Sequence, residues 1–139
     1  MAATDFLWSS YPIPGGDVPI KNTDGTSAFA FGDALQLDSA NVISGTQTVI
    51  GAKSAALQSS FFGFAIETTP LNAITRARVY GIAVATASGA ITAGAVVGCA
   101  ASRQVVTATA AKPQVGYAVS TTVNAADPML VLIDRSNNA

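Results

Sequence analysis

Residues 63–73 read Gly-Phe-Ala-Ile-Glu-Thr-Thr-Pro-Leu-Asn-Ala, and residues 116–125 read Gly-Tyr-Ala-Val-Ser-Thr-Thr-Val-Asn-Ala. A second echo lies upstream, where residues 28–35 resemble residues 90–97. The blocks follow each other in the same order in both copies. An ordered echo of this kind indicates that one small β unit was duplicated and fused.

Large and small residues alternate in the same phase in the two copies. Phe62, Phe64 and Ile66 are predicted to share one face of a strand, with Gly and Ala on the other face. Residues 115–119 repeat this pattern. A strand with one small face is typical of a place where another backbone approaches closely.

Short β-branched runs separated by Gly, Asp, Asn and Ser occur throughout the chain, and helical periodicity is almost absent. Residues 129–133 are continuously apolar, which predicts a strand buried on both faces. Only residues 52–60 are compatible with a short helix. The pattern predicts an all-β fold, a small barrel or sandwich built from two internally repeated β lobes with an extended N-terminal arm.

The predicted organisation follows from the repeat. Residues 1–26 form the N-terminal arm and a first turn. Residues 27–88 form the first β repeat, with an insertion at about 44–60, and residues 89–135 form the second. A frayed tail of four polar or small residues ends the chain, at 136–139.

The arm carries the candidate contact residues. Phe6, Trp8, Tyr11 and Pro12 lie close together, and the neighbouring prolines favour extended backbone. Aromatic side chains on such a segment can anchor it to a partner surface. We expect these residues to contact a partner or a neighbouring copy. The alternative is that the arm folds back over its own barrel.

The composition is typical of a protein whose surface is covered by a partner protein or by further copies of itself. Charged residues make up 11% of the chain, well below the roughly 25% of ordinary soluble domains. A neutral surface of small residues often meets a partner or further copies of itself. The alternative is a soluble monomer coated in Thr, Ser, Asn and Gln. The net charge is −1 and there is no Lys/Arg run, so no nucleic-acid partner is expected.

A membrane span is not expected either. Residues 79–102 contain no charged residue, but four glycines and several Thr and Ser residues interrupt the stretch. A spanning helix needs about 20 predominantly apolar residues. The interruptions are typical of turns between strands. The single Cys99 cannot form an internal disulfide.

The residues needed for catalysis are missing from the sequence. There is no histidine, which excludes Ser–His and Cys–His catalysis and His-based metal sites. Glu67 is the only glutamate, and no pair of carboxylates has a spacing suited to acid–base chemistry. Residues 51–54 resemble the end of a phosphate-binding loop, but Ala52 stands between the glycine and the lysine. We therefore expect no enzyme, no cofactor and no metal.

The glycine-centred blocks resemble one known family. Gly32-Asp33-Ala34-Leu35, Phe62-Gly63-Phe64-Ala65, residues 91–97 and Val115-Gly116-Tyr117-Ala118 are similar to motifs of tailed-phage capsid decoration proteins. These are also called cement or head fibre proteins and were formerly described as a domain of unknown function. The resemblance covers about residues 27–134. The second copy departs from it by having Ala95 where the first has Asp33.

The resemblance implies a structural role on a virion. Such proteins bind the outside of the mature head, over junctions between major capsid subunits, and stabilise it. It implies two partners, the major capsid protein and the protein itself, as a trimer or alternatively a dimer. It also implies assembly in the host cytoplasm and a final location on the capsid exterior. The alternative is another virion β module, from a tail or baseplate, or one that binds a receptor or a glycan.

Overall fold

The computed structural model describes residues 15–38, 50–54, 61–100, 103–108 and 114–134. In these residues the chain forms nine β-strands and no α-helix, so the all-β prediction is confirmed. The strands are β1 (Gly15–Asn22), β2 (Ala34–Leu37), β3 (Ile50–Ser54), β4 (Phe61–Ala65), β5 (Ile74–Thr86), β6 (Val96–Cys99), β7 (Val105–Thr107), β8 (Gln114–Ala118) and β9 (Pro128–Ile133).

The strands close into two rings that share β5. The sheet order is β1-β3-β2-β4-β5-β9-β8-β6-β7, and β1 also pairs with β5. Strands β1, β3, β2, β4 and β5 therefore form a closed ring, here called ring 1. Strands β5, β9, β8, β6 and β7 form ring 2, which a parallel bridge between Ala87 and Val105 closes. The architecture is barrel-like, as predicted.

The 13-residue strand β5 can serve both rings because it changes partner near its middle. Its first half pairs with β1 as far as Gly81, which lies opposite Gly15. Gly81 also lies opposite Ile133, and the second half of β5 pairs with β9. Gly81 has a φ of 87°, a conformation that glycine adopts without a steric penalty.

The duplicated sequence folds with a duplicated hydrogen-bond pattern. Phe29 bridges Thr69 in ring 1, and Ile91 bridges Thr122 in ring 2. Gly32 and Gly94 both have a φ of 90° and both donate an N–H, to the carbonyls of Ala65 and Ala118 respectively. The sequence repeat is therefore also a repeat of backbone geometry. The boundaries of the two β repeats, at residues 27–88 and 89–135, remain a prediction.

Each ring contains a β-bulge at the same place. Between β2 and β4, Leu35 faces Gly63 and Gln36 faces Phe61, which leaves Phe62 as the extra residue. Between β6 and β8, Val97 faces Gly116 and Gly98 faces Gln114. A bulge of this kind disrupts the regular alternation of side chains.

The bulge overturns the prediction that Phe62 and Phe64 share a face. Phe62 packs against the core of ring 1. Phe64 instead belongs to the larger core cluster, and its ring centroid lies 4.8 Å from that of Phe61. One extra residue in a strand makes the side chains beyond it point to the opposite face of the sheet. An alternating sequence pattern cannot reveal this change.

The small face of the repeated strand behaves as predicted. A Cβ atom added at Gly63 would lie 2.6 Å from the carbonyl oxygen of Arg78, and one at Gly116 would overlap the carbonyl oxygen of Leu132. Both distances are shorter than real Cβ contacts. The two glycines therefore let β4 and β8 approach β5 and β9 closely.

Two further predictions need correction. Residues 52–54 were compatible with a helix but lie in β3, and residues 55–60 lie outside the described residues. Strand β9 is not buried on both faces, because Met129, Val131 and Ile133 are buried whereas Leu132 is 42% exposed. An antiparallel strand with one covered face alternates in this way.

The end of the predicted arm lies in the barrel. Residues 15–22 form β1, which pairs with β5 and, in parallel, with β3. Its extended backbone agrees with the prediction for this segment. Residues 1–14 lie outside the described residues.

Candidate interaction surface

The predicted contact residues Phe6, Trp8, Tyr11 and Pro12 lie outside the described residues. The structure shows where the segment that carries them joins the barrel. Gly16 lies opposite Tyr80 in β5, and a Cβ atom at Gly16 would overlap the Tyr80 ring. Tyr80 is 65% exposed, so an aromatic side chain stands in solvent beside the start of β1.

A row of apolar side chains crosses the outer face of ring 2. Ile82 lies opposite Leu132, Leu132 lies opposite Tyr117, and Tyr117 lies opposite Val96. Directly paired residues in an antiparallel sheet point to the same face, with Cβ atoms about 4.5–5.5 Å apart. The four residues therefore form one continuous line over β5, β9, β8 and β6.

A second row runs beside the first. Val84 lies opposite Leu130, and Val119 donates its N–H to the carbonyl of Leu130 at 2.8 Å. Val119 is 44% exposed, Leu130 is half-buried and Val84 is buried. The two rows together are called the ring 2 face: Val84, Leu130 and Val119 in one row, and Ile82, Leu132, Tyr117 and Val96 in the other.

The ring 2 face carries no charged residue. Two ion pairs between described residues lie elsewhere. Arg78 pairs with Asp17 between β5 and β1, with an Nε–Oδ1 distance of 2.5 Å. Arg103 pairs with Asp33 at 3.1 Å and also donates to the carbonyl of Ala28 at 2.8 Å, which ties ring 2 to ring 1. An uncharged, partly exposed apolar surface of this kind is typical of the centre of a protein interface.

Tertiary structure brings the ring 2 face together from four strands. Sequence reasoning missed it because Leu132 and Leu130 were assigned to a fully buried strand. A signal was present in the repeat: Leu132 occupies the position in its strand that Arg78 occupies in the first copy, and a charged counterpart indicates an outward-facing position. Tyr117 is half-buried.

The described part of the chain offers no other arrangement with obvious chemistry. No three His, Cys, Asp or Glu side chains within it lie close enough to hold a metal ion. Among the same residues, no helix is long and apolar enough to cross a membrane. Cys99 is fully buried in the core of ring 2.

Comparison with known proteins finds a relative in structure but not in sequence. No family model and no curated protein matches this chain significantly. Among solved structures, the crystal structure of the N base of head fiber gp8.5 from bacteriophage phi29 superposes with a TM-score of 0.63. The two proteins share a fold. The match covers 87% of this chain and 95% of the phage chain, at 17% sequence identity.

Proposed function

We propose that this protein is a structural component of a bacteriophage head that binds the outer surface of the mature capsid. The observation that carries the proposal is the fold shared with the phi29 head fiber base over 87% of the chain. The glycine-centred motifs at residues 32–35 and 62–65, which resemble those of capsid decoration proteins, support it independently.

In the proposed role the protein acts as a cement. It lies over junctions between major capsid subunits and adds buried area across them, which opposes the outward pressure of packaged DNA. A stable interface needs about 800 Å² per partner. In an oligomer, once one copy has bound, the linked copies form their contacts at a high effective concentration, so several weak contacts act together.

The chain is suited to such a contact by its few charges. Charged residues make up 11% of the sequence, so docking on a capsid desolvates few ionic groups. The N-terminal segment supplies the anchors in this proposal. Phe6, Trp8, Tyr11 and Pro12 contact the capsid or a neighbouring copy. The protein assembles on the head in the host cytoplasm as a trimer, with a dimer as the alternative, and ends on the virion exterior.

Binding to purified heads tests the proposal. The protein is mixed with empty heads of its own phage before and after expansion, and bound protein is measured after sedimentation. Saturable binding to expanded heads is the expected result. Absence of binding to either form, or binding to tails instead, would contradict a role as a head cement protein.

A truncation tests the role of the anchors. Removing residues 1–14 leaves β1 to β9 complete, because β1 begins at Gly15. We expect weaker binding to heads and an unchanged unfolding temperature. Trp8→Ala and Tyr11→Ala narrow the effect to the aromatic side chains, and Phe31→Ala serves as a control for an exposed aromatic residue elsewhere in the barrel. Unchanged binding by the truncated protein would refute the anchoring role.

A further inference from the structure

The two rings differ in what covers the outer face of the repeat. In ring 1 the turn at Gly32 packs against β5: a Cβ atom there would lie 3.2 Å from Oγ1 of Thr86 and 3.6 Å from the backbone of Ala85. The equivalent residue in ring 2 is Gly94. A Cβ atom at Gly94 would meet nothing within 4 Å.

The side chains next to these turns differ in the same way. Ala34 and Phe64 are completely buried, and both belong to the core cluster that is otherwise built mainly by ring 2. Their counterparts are Val96 and Tyr117, which form the same cross-strand pair in ring 2 but are only half-buried. The surface that is a domain core in one repeat is thus an open surface in the other.

The more exposed surface of ring 2 is apolar, as a covered surface would be. Leu132 is 42% exposed and Val119 is 44% exposed, and they border Tyr117 and Leu130. Arg78 reaches one end of the ring 2 face, where its Nη1 donates to the carbonyl of Ile82 at 2.8 Å. Single exposed apolar residues are ordinary on protein surfaces, but a continuous apolar patch indicates an interaction site. At the position of Leu132, ring 1 has Arg78, which is held in an ion pair with Asp17.

We propose that a second copy of this chain covers the ring 2 face. Within one chain, the part of the outer face of ring 1 that carries Ala34 and Phe64 is covered by the second half of β5. Arg103 adds hydrogen bonds to Asp33 and to the carbonyl of Ala28. Ring 1 has the same backbone pattern as ring 2: Ile20 lies opposite Thr75 in ring 1 as Ala85 lies opposite Met129 in ring 2. Strand β1 in ring 1 of another copy is therefore the counterpart of the strand that covers Ala34 and Phe64 within one chain.

The repeat also gives the arrangement of the contact. Lys21 in β1 is the counterpart of Thr86 in β5, because Lys21 lies opposite Ile74 and Thr86 lies opposite Pro128. Lys21 is exposed. Because the Gly32 turn lies against Thr86 within one chain, its counterpart, the Gly94 turn beside the ring 2 face, then meets ring 1 of the next copy near Lys21. This is a head-to-tail contact between unlike surfaces. This assigns a surface to the self-association that forms part of the proposed function.

Sedimentation of the free protein tests the interface without any capsid. The wild-type protein, 14.0 kDa as a single chain, is expected to form a larger species as its concentration rises. Leu132→Asp and Val119→Asp place a charge on the ring 2 face and are expected to weaken association at least about tenfold, because an unpaired carboxylate would be desolvated in the contact. Val123→Asp is the matched control, since Val123 is 72% exposed in a turn outside that face.

Circular dichroism and unfolding temperature at low concentration show whether each variant is folded. The proposal would be overturned by any of three results. Both variants of the ring 2 face could associate as the wild-type protein does, the wild-type protein could stay monomeric at every concentration, or Val123→Asp could weaken association as much as the face variants do. Lys21→Trp tests the head-to-tail arrangement, because the bulky side chain would block ring 1. Wild-type association by that variant would overturn the arrangement. None of these outcomes depends on head binding, so the proposed function is judged separately by its own assay.

Discussion

Rings 1 and 2 share one backbone plan but bury different side chains. The first strand of ring 1 ends at Asn22, which is fully buried, and the equivalent position in ring 2 is Ala87. The backbone N–H of Asn22 bonds to Ala73, as that of Ala87 bonds to Asp127. The buried polar side chain is therefore a feature of ring 1 that ring 2 does not share at this position.

The amide of Asn22 holds two loops of ring 1 together. Its Nδ2 group donates to the carbonyls of Ser27 and Thr69, both at 3.1 Å, and its Oδ1 atom accepts from the N–H of Asp24 at 3.0 Å. A buried amide with its donors and acceptor satisfied stabilises the fold and fixes loop geometry. Ring 1 thus relies on polar contacts and on cover by ring 2, whereas ring 2 relies on a larger apolar core.

The largest expected effect on stability comes from comparing a buried side chain on the outer face of ring 1 with its half-buried counterpart in ring 2. Phe64→Ala removes a completely buried ring and is expected to lower the free energy of unfolding by about 3–5 kcal/mol. Tyr117→Ala, at the equivalent half-buried position, is expected to lower it by about 1 kcal/mol at low protein concentration. Urea unfolding of both variants gives the comparison. Equal losses would mean that the two faces are equally covered in the free chain.

The second effect tests whether ring 1 depends on its buried amide. Asn22→Ala removes the hydrogen bonds to the carbonyls of Ser27 and Thr69 and from the N–H of Asp24, and we expect a loss of about 2 kcal/mol in the free energy of unfolding. Asn124→Ala, at an exposed position, is the control and is expected to change stability by less than about 0.5 kcal/mol. A wild-type unfolding curve for Asn22→Ala would show that ring 1 closes as ring 2 does, through its backbone alone.

The smallest effect concerns one turn residue. Asn72 and Ala126 occupy equivalent positions with φ angles of 63° and 69°, and they donate to the carbonyls of Asn22 and Ala87. Asn tolerates this left-handed conformation better than Ala does. Ala126→Gly is therefore expected to raise the free energy of unfolding by about 0.5 kcal/mol, and Asn72→Gly to change it less. A clear loss of stability in Ala126→Gly would contradict this account of the turn.

Much of the fold was accessible from the repeat. The echo of residues 63–73 in residues 116–125 predicted two similar β units, and the small face of Gly63 and Gly116 predicted a close backbone approach. These succeeded because glycine and strand periodicity act locally, through sterics that the sequence records directly. The prediction that Phe62 and Phe64 share a face was wrong because of the bulge. A bulge depends on how β4 pairs with β2, and the sequence of β4 alone does not reveal that pairing.

The candidate surface was accessible only in part. The anchors Phe6, Trp8, Tyr11 and Pro12 stay a prediction, since they lie outside the described residues. The ring 2 face could not be found from a single strand. Its rows join Val96, Tyr117, Leu132 and Ile82, which are up to 50 positions apart in the sequence but adjacent across the sheet.

By itself the sequence determined the class of the fold, its duplication and the places where only glycine fits. These features depend on residues that are close together in the chain, so their pattern can be read in order. Tertiary structure alone decided that β5 belongs to both rings, and that the pair Ala34 and Phe64 is buried while its counterpart, Val96 and Tyr117, is partly exposed. Burial depends on which other element packs against a strand. Two similar segments are therefore buried to different extents when only one of them has a strand packed against its outer face.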